Sequence, residues 1–123
     1  MPRMTPTSRS IRYLRDRGWM VWNVETYNPR TRRRRDMFGC IDLLAVHPTH
    51  GTLGIQTTSG SNVSARVKKC MAEPRMEIWK QAGNKLEVHG WRQIKVKRGG
   101  KARKWDCRIV TGKHITPASS LYA

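Results

Sequence analysis

The chain has 123 residues, with 25 Lys and Arg against 8 Asp and Glu, a formal charge of +17 and a pI near 11.1. That length suits one domain with a single modest core, residues 1–123, and the charge points to a polyanionic partner, most simply nucleic acid, without separating DNA from RNA. A membrane role is disfavoured, because no stretch approaches the ~20 apolar residues of a span and no strongly amphipathic basic helix stands out.

Cys40, Cys70 and Cys107 are too few and too scattered for a disulfide framework, and none forms a C-x-x-C pair. His47, His50, His89 and His114 show no zinc spacing. The thiols are therefore expected to be reduced and mostly buried, in a cytosolic setting. The N-terminal stretch M-P-R-M-T-P-T-S-R lacks the apolar region of a secretory signal.

In chain order, residues 1–6 are expected to be loose. A helix then runs from a Thr7 or Ser8 cap to Arg17, with Ile11 and Leu14 inward, Tyr13 beside them and Gly18 as its stop. Trp19–Tyr27 is rich in aromatic and β-branched residues and reads as one strand. Glu25, near its end, either supplies a carboxylate to a site or pairs with a neighbouring arginine. Asn28-Pro29 signals a turn, and Arg30, Arg32, Arg33, Arg34 and Arg35 follow in what reads as a loop. Their planar forks suit phosphate oxygens. Asp36 closes the run, as a second carboxylate at a site or, by preference, as a local partner of these arginines.

Ile41–Val46 and Thr52–Thr57 read as two short apolar strands joined by His47–Gly51, the first covered on both faces. Asp42 lies inside the first. A buried carboxylate costs several kcal/mol unless donors or a cation compensate it, so Asp42 is either a hydrogen-bonded residue at a strand start or a metal ligand. Alternation puts Gln56 and Thr58 on one face of the second strand, within reach of Asp42. Ser59 and Ser61 precede a helix over Val63–Glu73, and serve as an ordinary cap or an anion-binding turn. Val63, Val67, Cys70 and Met71 keep core spacing there, leaving Arg66, Lys68 and Lys69 outward. A short helix follows Pro74 and ends by Gly83. Lys85–Lys97 and Lys104–Val110 alternate as a C-terminal β-hairpin whose basic tip carries Lys97, Arg98, Lys101 and Arg103. Trp91 and Trp105 are core or cross-strand partners, or platforms for base stacking. Residues 112–123 are expected to be loose.

Gly39, Asp42, Leu43, Leu44 and Ala45, then Ile55, Gln56, Thr57 and Thr58, resemble the PD-(D/E)xK nuclease superfamily, and within it the Holliday-junction-resolvase-like and phage-encoded members. The likeness extends from the first helix to the helix after Ser61. This chain departs from the pattern at two places: Gln56 stands where the family has its second acid, and Thr58 where it has lysine. An amide oxygen can coordinate a hard cation but brings no charge.

The resemblance implies an α/β chain with a restriction-endonuclease-like core, a mixed central β-sheet flanked by helices. It implies a Mg²⁺- or Mn²⁺-dependent endonuclease acting on DNA, with branched or structured duplex as a candidate substrate. Asp42, Gln56 and Asp36 would hold the metal, helped by the Ile55 or Thr57 carbonyl, and Asp42, Gln56, Thr58 and Glu25 would carry catalysis. DNA backbone would be held by Arg30, Arg32–Arg35, Ser59, Ser61, Arg66, Lys68, Lys69 and the C-terminal tip. A homodimer in the cytoplasm of a bacterium or a phage-infected cell fits the same likeness. Two alternatives stay open: a nuclease-fold binding protein without catalysis, and a basic RNA-binding or virion-associated protein whose likeness is accidental.

Overall fold

In the computed structural model, which describes residues 4–111, the first regular element is α1, Pro6–Arg15. Its N-cap is Thr5, not Thr7 or Ser8. The Thr5 hydroxyl accepts the Ser8 amide at 3.1 Å, while Ser8 Oγ accepts the Thr5 amide at 2.8 Å. This reciprocal box, with Pro6 pre-set for the first helical turn, orders residues that the sequence alone suggests are loose. Residues 1–3 and 112–123, covered by the same expectation, lie outside the described residues. The helix stops at Arg15, earlier than Arg17, and the chain reverses at Gly18, whose φ of 89° favours glycine.

Trp19–Tyr27 is two strands, not one. β1 (Met20–Asn23) stops where Asn23 Oδ1 accepts the Glu25 amide at 2.9 Å, an Asx turn that takes the chain out of the sheet before β2 (Thr26–Asn28) begins. The arginine run is likewise no simple loop. Its end, β3 (Arg33–Arg35), pairs antiparallel with β2 as a separate two-stranded sheet. The remaining elements are β4 (Leu43–His47), β5 (Gly51–Ser59), a 3₁₀ turn (Gly60–Asn62), α2 (Val63–Ala72), α3 (Arg75–Gln81), β6 (Lys85–Lys95) and β7 (Arg103–Thr111). They lie close to expectation, except that β4 begins at Leu43, leaving Ile41 and Asp42 just before the strand and not inside it.

These make a mixed α/β architecture with a five-stranded sheet, order β1-β4-β5-β6-β7, in which β5 and β6 are parallel and every other pair antiparallel. Strand parity sorts the core into two layers. Val21, Leu43, Ala45, Leu53 and Ile55 meet Leu14 of α1 on one face. Ile41, Leu86 and Val88 meet Val63, Cys70, Met76 and Trp79 of α2 and α3 on the other. Met71 lies off that stripe and is exposed, and Val46 at the far end of β4 is exposed too, so the cover of β4 is incomplete. Cys40, Cys70 and Cys107 are unpaired. Among the described residues no helix is long and apolar enough to cross a membrane.

A buried polar chain ties α1 to β6. Ser10 Oγ accepts Trp91 Nε1–H at 2.8 Å and lies 3.0 Å from His89 Nδ1, while His89 Nε2 lies 2.9 Å from Glu87 Oε1. Both ring nitrogens of His89 are thereby engaged, one with Ser10 and one with Glu87. The order Ser–His–Glu matches a hydrolase triad, yet Ser10 and His89 are wholly buried and their hydrogen bonds are used within the chain, so the set is structural. Trp91 serves this network, and Trp105 lies under the Arg9 guanidinium at 3.6 Å.

Gly90 shows how closely α2 sits on β6. A Cβ there would collide with Val63 Cγ2, which is buried and has nowhere to go. Gly90→Ala is therefore expected to destabilise the fold by about 1–3 kcal/mol, seen as a fall in Tm of roughly 5–15 °C. An unchanged melt would mean that α2 shifts freely on the sheet.

Candidate functional site

Two turns assemble the site. Phe38 and Gly39 both take positive φ (52° and 80°), folding the chain so that Met37 and Ile41 form an antiparallel bridge. The residues flanking that bridge, Asp36 and Asp42, are thereby brought side by side. The Asx turn at Asn23 then carries Glu25 to the same place. Carboxylate oxygens of Glu25, Asp36 and Asp42 lie within 4.8 Å of one another.

Asp42 is the buried member, only 3% exposed. Its Oδ2 accepts Gln56 Nε2 at 2.5 Å, the Thr57 amide at 2.8 Å and the Thr57 hydroxyl at 3.3 Å. Its Oδ1 has no donor, and neither does Gln56 Oε1, although both atoms are buried. Leaving such an acceptor unsatisfied costs about 1–3 kcal/mol, and more for a charged one. The neighbour of Asp42 is the carboxyl of Asp36. As carboxylates neither can donate, so only a proton or a cation can reconcile them.

The titration behaviour follows from that geometry. Burial, and then the shared hydrogen bond with Asp36, push the Asp42 carboxyl up to about 7, against partial relief from the Thr57 amide. Burial also pushes Asp36 upward, but the hydrogen bond from Asp42 and the Lys69 ammonium outweigh it and hold Asp36 below the ordinary carboxylate value. Lys69 Nζ lies 2.8 Å from Asp36 Oδ2, and Arg34 Nη1 lies 3.4 Å from Glu25 Oε1. Three carboxylates thus face two cations, with two buried oxygens left over. The carboxylates of Glu25, Asp36 and Asp42 form an oxygen-only group of the kind that hard divalent cations take, with the Gln56 side chain bonded to Asp42 beside it.

Several expectations change here. Thr57, not Thr58, bonds Asp42: its backbone amide is the main donor and its hydroxyl a second, whereas Thr58 shares the face of Gln56 two residues further along β5. Asp36 pairs with Lys69 instead of with the arginine run, and Glu25 pairs with Arg34 while also lying in the acidic group. Lys69, read as an outward-facing residue, bends back to the site from the last turn of α2. Ser59, Ser61 and Asn62 bond among themselves, with Ser59 Oγ 3.3 Å from Ser61 Oγ and accepting Asn62 Nδ2 at 3.0 Å. Arg66 is half-buried, and Lys68 is exposed on α2.

The basic elements share one end of the sheet. The C-terminal ends of β1 and β5 and the start of β4 lie together, because Asn23 pairs with Leu43 and Leu43 with Ile55. The arm β2–β3 leaves from the β1 side, carrying Arg30, Arg32, Arg33 and Arg34, with Arg35 at its base. On the other side, β6 and β7 run on past the end of β5, since Ser59 pairs with Trp91 while the hairpin continues to Lys95 and Arg103. Lys97, Arg98 and Lys101 therefore extend roughly 20 Å beyond β5. A cleft of about 560 Å³ opens beside Asp36, lined by Val24, Thr26, Arg35, Phe38 and Arg75 among others.

A divalent cation would take the place of the proton that Asp42 and Asp36 share. The folded chain holds that proton up to about pH 7, whereas an unfolded Asp releases it near 4. Its stabilising effect is thus complete below about pH 4 and is lost as pH rises to 7. Stabilisation by Mn²⁺ should run the other way, small at pH 6 and several degrees of Tm at pH 8 with millimolar ion. A shift independent of pH would place the ion elsewhere.

Comparison with protein-family models, curated proteins and solved structures gives no match for this chain.

Proposed function

We propose that this protein is a metal-dependent endonuclease acting on DNA phosphodiesters, built on a restriction-endonuclease-like core. One observation carries the reading: two buried oxygens without donors, Asp42 Oδ1 and Gln56 Oε1, lie in a site that also gathers Asp36 and Glu25. Asp42 and Asp36 hold the ion, Mg²⁺ or Mn²⁺, with Gln56 contributing its amide oxygen. When bound, such an ion lowers the pKa of a coordinated water and offsets charge developing on the phosphate. The Thr57 amide fixes the Asp42 carboxylate, so the ligand is oriented before substrate arrives. Lys69 supplies the cation that Thr58 cannot, and holds Asp36 ionised. Arg30, Arg32–Arg35 and the Lys97–Arg103 tip grip the DNA backbone on either side of the site. Binding should accordingly be sequence-tolerant and sensitive to salt.

A second reading, a nuclease-fold binding protein that does not cut, is favoured by the protonation of Asp42: a site with a carboxyl near 7 and no second acid at Gln56 holds a cation weakly at neutral pH. Cleavage of linear duplex, single-stranded and four-way-junction DNA at pH 8 with Mg²⁺, Mn²⁺ or EDTA decides between them. Cutting with either ion and none in EDTA is the expected result. Tight binding with no cutting under any condition gives the second reading, and cutting that persists in EDTA removes the metal site.

A further inference from the structure

The two basic hairpins differ in build. The β6–β7 extension continues the central sheet, whereas β2–β3 is a sheet of its own, with all six strand residues exposed. Arg33 and Arg35 leave one face of this ribbon and Arg34 the other. From the Thr26–Arg35 pair to the Asn28–Arg33 pair is two residue steps, and the turn from Pro29 to Arg32 caps them, so the ribbon stands roughly 10 Å high. Its tip carries a further clue. Arg32 has a φ of 55°, a conformation that glycine enters freely and a residue with a Cβ enters against a steric penalty. A turn shaped for folding alone would use glycine; the guanidinium is what glycine would forfeit.

We infer that the β2–β3 ribbon enters the major groove of B-form duplex DNA, which makes duplex DNA the nucleic acid presented to the site. That groove, about 12 Å wide and 8.5 Å deep, admits a two-stranded ribbon, and a height of roughly 10 Å is enough to bring the Arg32 tip to its floor; the minor groove, about 6 Å wide, is too narrow for one. The major groove of A-form RNA is too deep and narrow for side chains to read, which argues for DNA over duplex RNA. Single strands are held by stacking their bases on aromatic rings, and Tyr27 is the one aromatic residue between Thr26 and Arg35. Arg33 and Arg35 on one face and Arg32 at the tip can meet one wall and the floor of a groove, while Arg34, on the other face, lies beside Glu25 of the acidic group. The inference takes nucleic acid as ligand from the reading above, but requires no catalysis.

The test is equilibrium binding of the full chain in EDTA. Its probes are duplex DNA, the same duplex carrying glucosylated 5-hydroxymethylcytosine to fill the major groove, duplex RNA of the same sequence, and duplex DNA preloaded with netropsin in the minor groove. Plain duplex should bind at least about tenfold more tightly than glucosylated duplex or RNA, and netropsin should change little. Arg32→Gly should weaken binding to plain duplex about tenfold and narrow its advantage over glucosylated duplex, while Tm holds or rises. Equal binding of plain and glucosylated duplex, equal binding of RNA, or displacement by netropsin overturns the inference. Groove-selective binding without cleavage at any metal concentration would leave it standing and remove only the nuclease reading. Failure to bind any nucleic acid would remove both.

Discussion

Asp42→Asn should lower metal-dependent cleavage by at least about a thousandfold, roughly 4 kcal/mol of transition-state stabilisation, while raising the Tm of the metal-free protein at pH 8. The two effects have one cause. Asparagine preserves the shape and can still accept the Thr57 amide and Gln56 Nε2 through Oδ1. Its Nδ2 then donates toward Asp36, which is what the shared proton does for the acid below about pH 7. Above that pH the native site sets the buried Asp42 carboxylate against the half-buried Asp36 carboxylate, and the amide removes the conflict. A stability gain of order 1 kcal/mol, several degrees of Tm, is expected at pH 8. At pH 5, where Asp42 is protonated in the fold, the gain should disappear. Retained cleavage would show that the chemistry lies elsewhere, and a lower Tm at pH 8 would show that the carboxylate is better compensated than its surroundings suggest.

Gln56→Glu should do the reverse. The amide now donates from Nε2 to Asp42 Oδ2 at 2.5 Å, and a carboxylate has no such donor. It would place a second negative charge against Asp42 in a position only 1% exposed. At about 4 Å and an effective dielectric near 20, like charges repel by about 4 kcal/mol, so the metal-free variant should lose several kcal/mol at pH 8. A bound Mn²⁺ turns that repulsion into attraction. Apparent Mn²⁺ affinity should rise at least about tenfold, and saturating ion should restore most of the lost Tm. Calorimetric titration and melts with and without the ion read both effects. A variant that is destabilised equally with and without Mn²⁺ would place Gln56 outside the coordination sphere.

The legible part of this fold was the part encoded in short-range pattern. Leu43, Ala45, Leu53 and Ile55 alternate in sequence and lie on one buried face, because strand side chains repeat every two residues. The β6–β7 hairpin follows from the same rule and from a glycine turn. Helix α1 was recognisable from Ile11 and Leu14, but its start was not: Thr5 and Thr7 are both good caps, and Pro6 decided between them. The break within Trp19–Tyr27 turned on one side-chain hydrogen bond at Asn23, which β-propensity cannot register. The arginine run read as a loop because charge suggests solvent, yet an exposed ribbon leaves all its side chains in solvent and still pairs its backbone.

The site divides in the same way. Asp42 could be singled out from sequence, since a carboxylate inside an apolar run demands a partner. Asp36 was expected as a metal ligand or a partner of the arginines and Lys69 as an outward residue, but that the two pair with each other could not be read, because it depends on contacts across the chain. Asp36 faces Asp42 only because Phe38 and Gly39 make a tight turn, and Lys69 meets Asp36 only because α2 packs back over β5 and β6. Side-chain parity gives no sign of the part Thr57 plays, because its chief contribution is a backbone amide. By itself the sequence determined the charge, the strands of the central sheet and the helices apart from their exact ends, and the acid that is buried among the described residues. Only the tertiary structure decided which carboxylates share a proton, which lysine answers them and which oxygens are left unsatisfied. Those are properties of distance and burial, and neighbours in space that are separated along the chain leave no local pattern from which to read them.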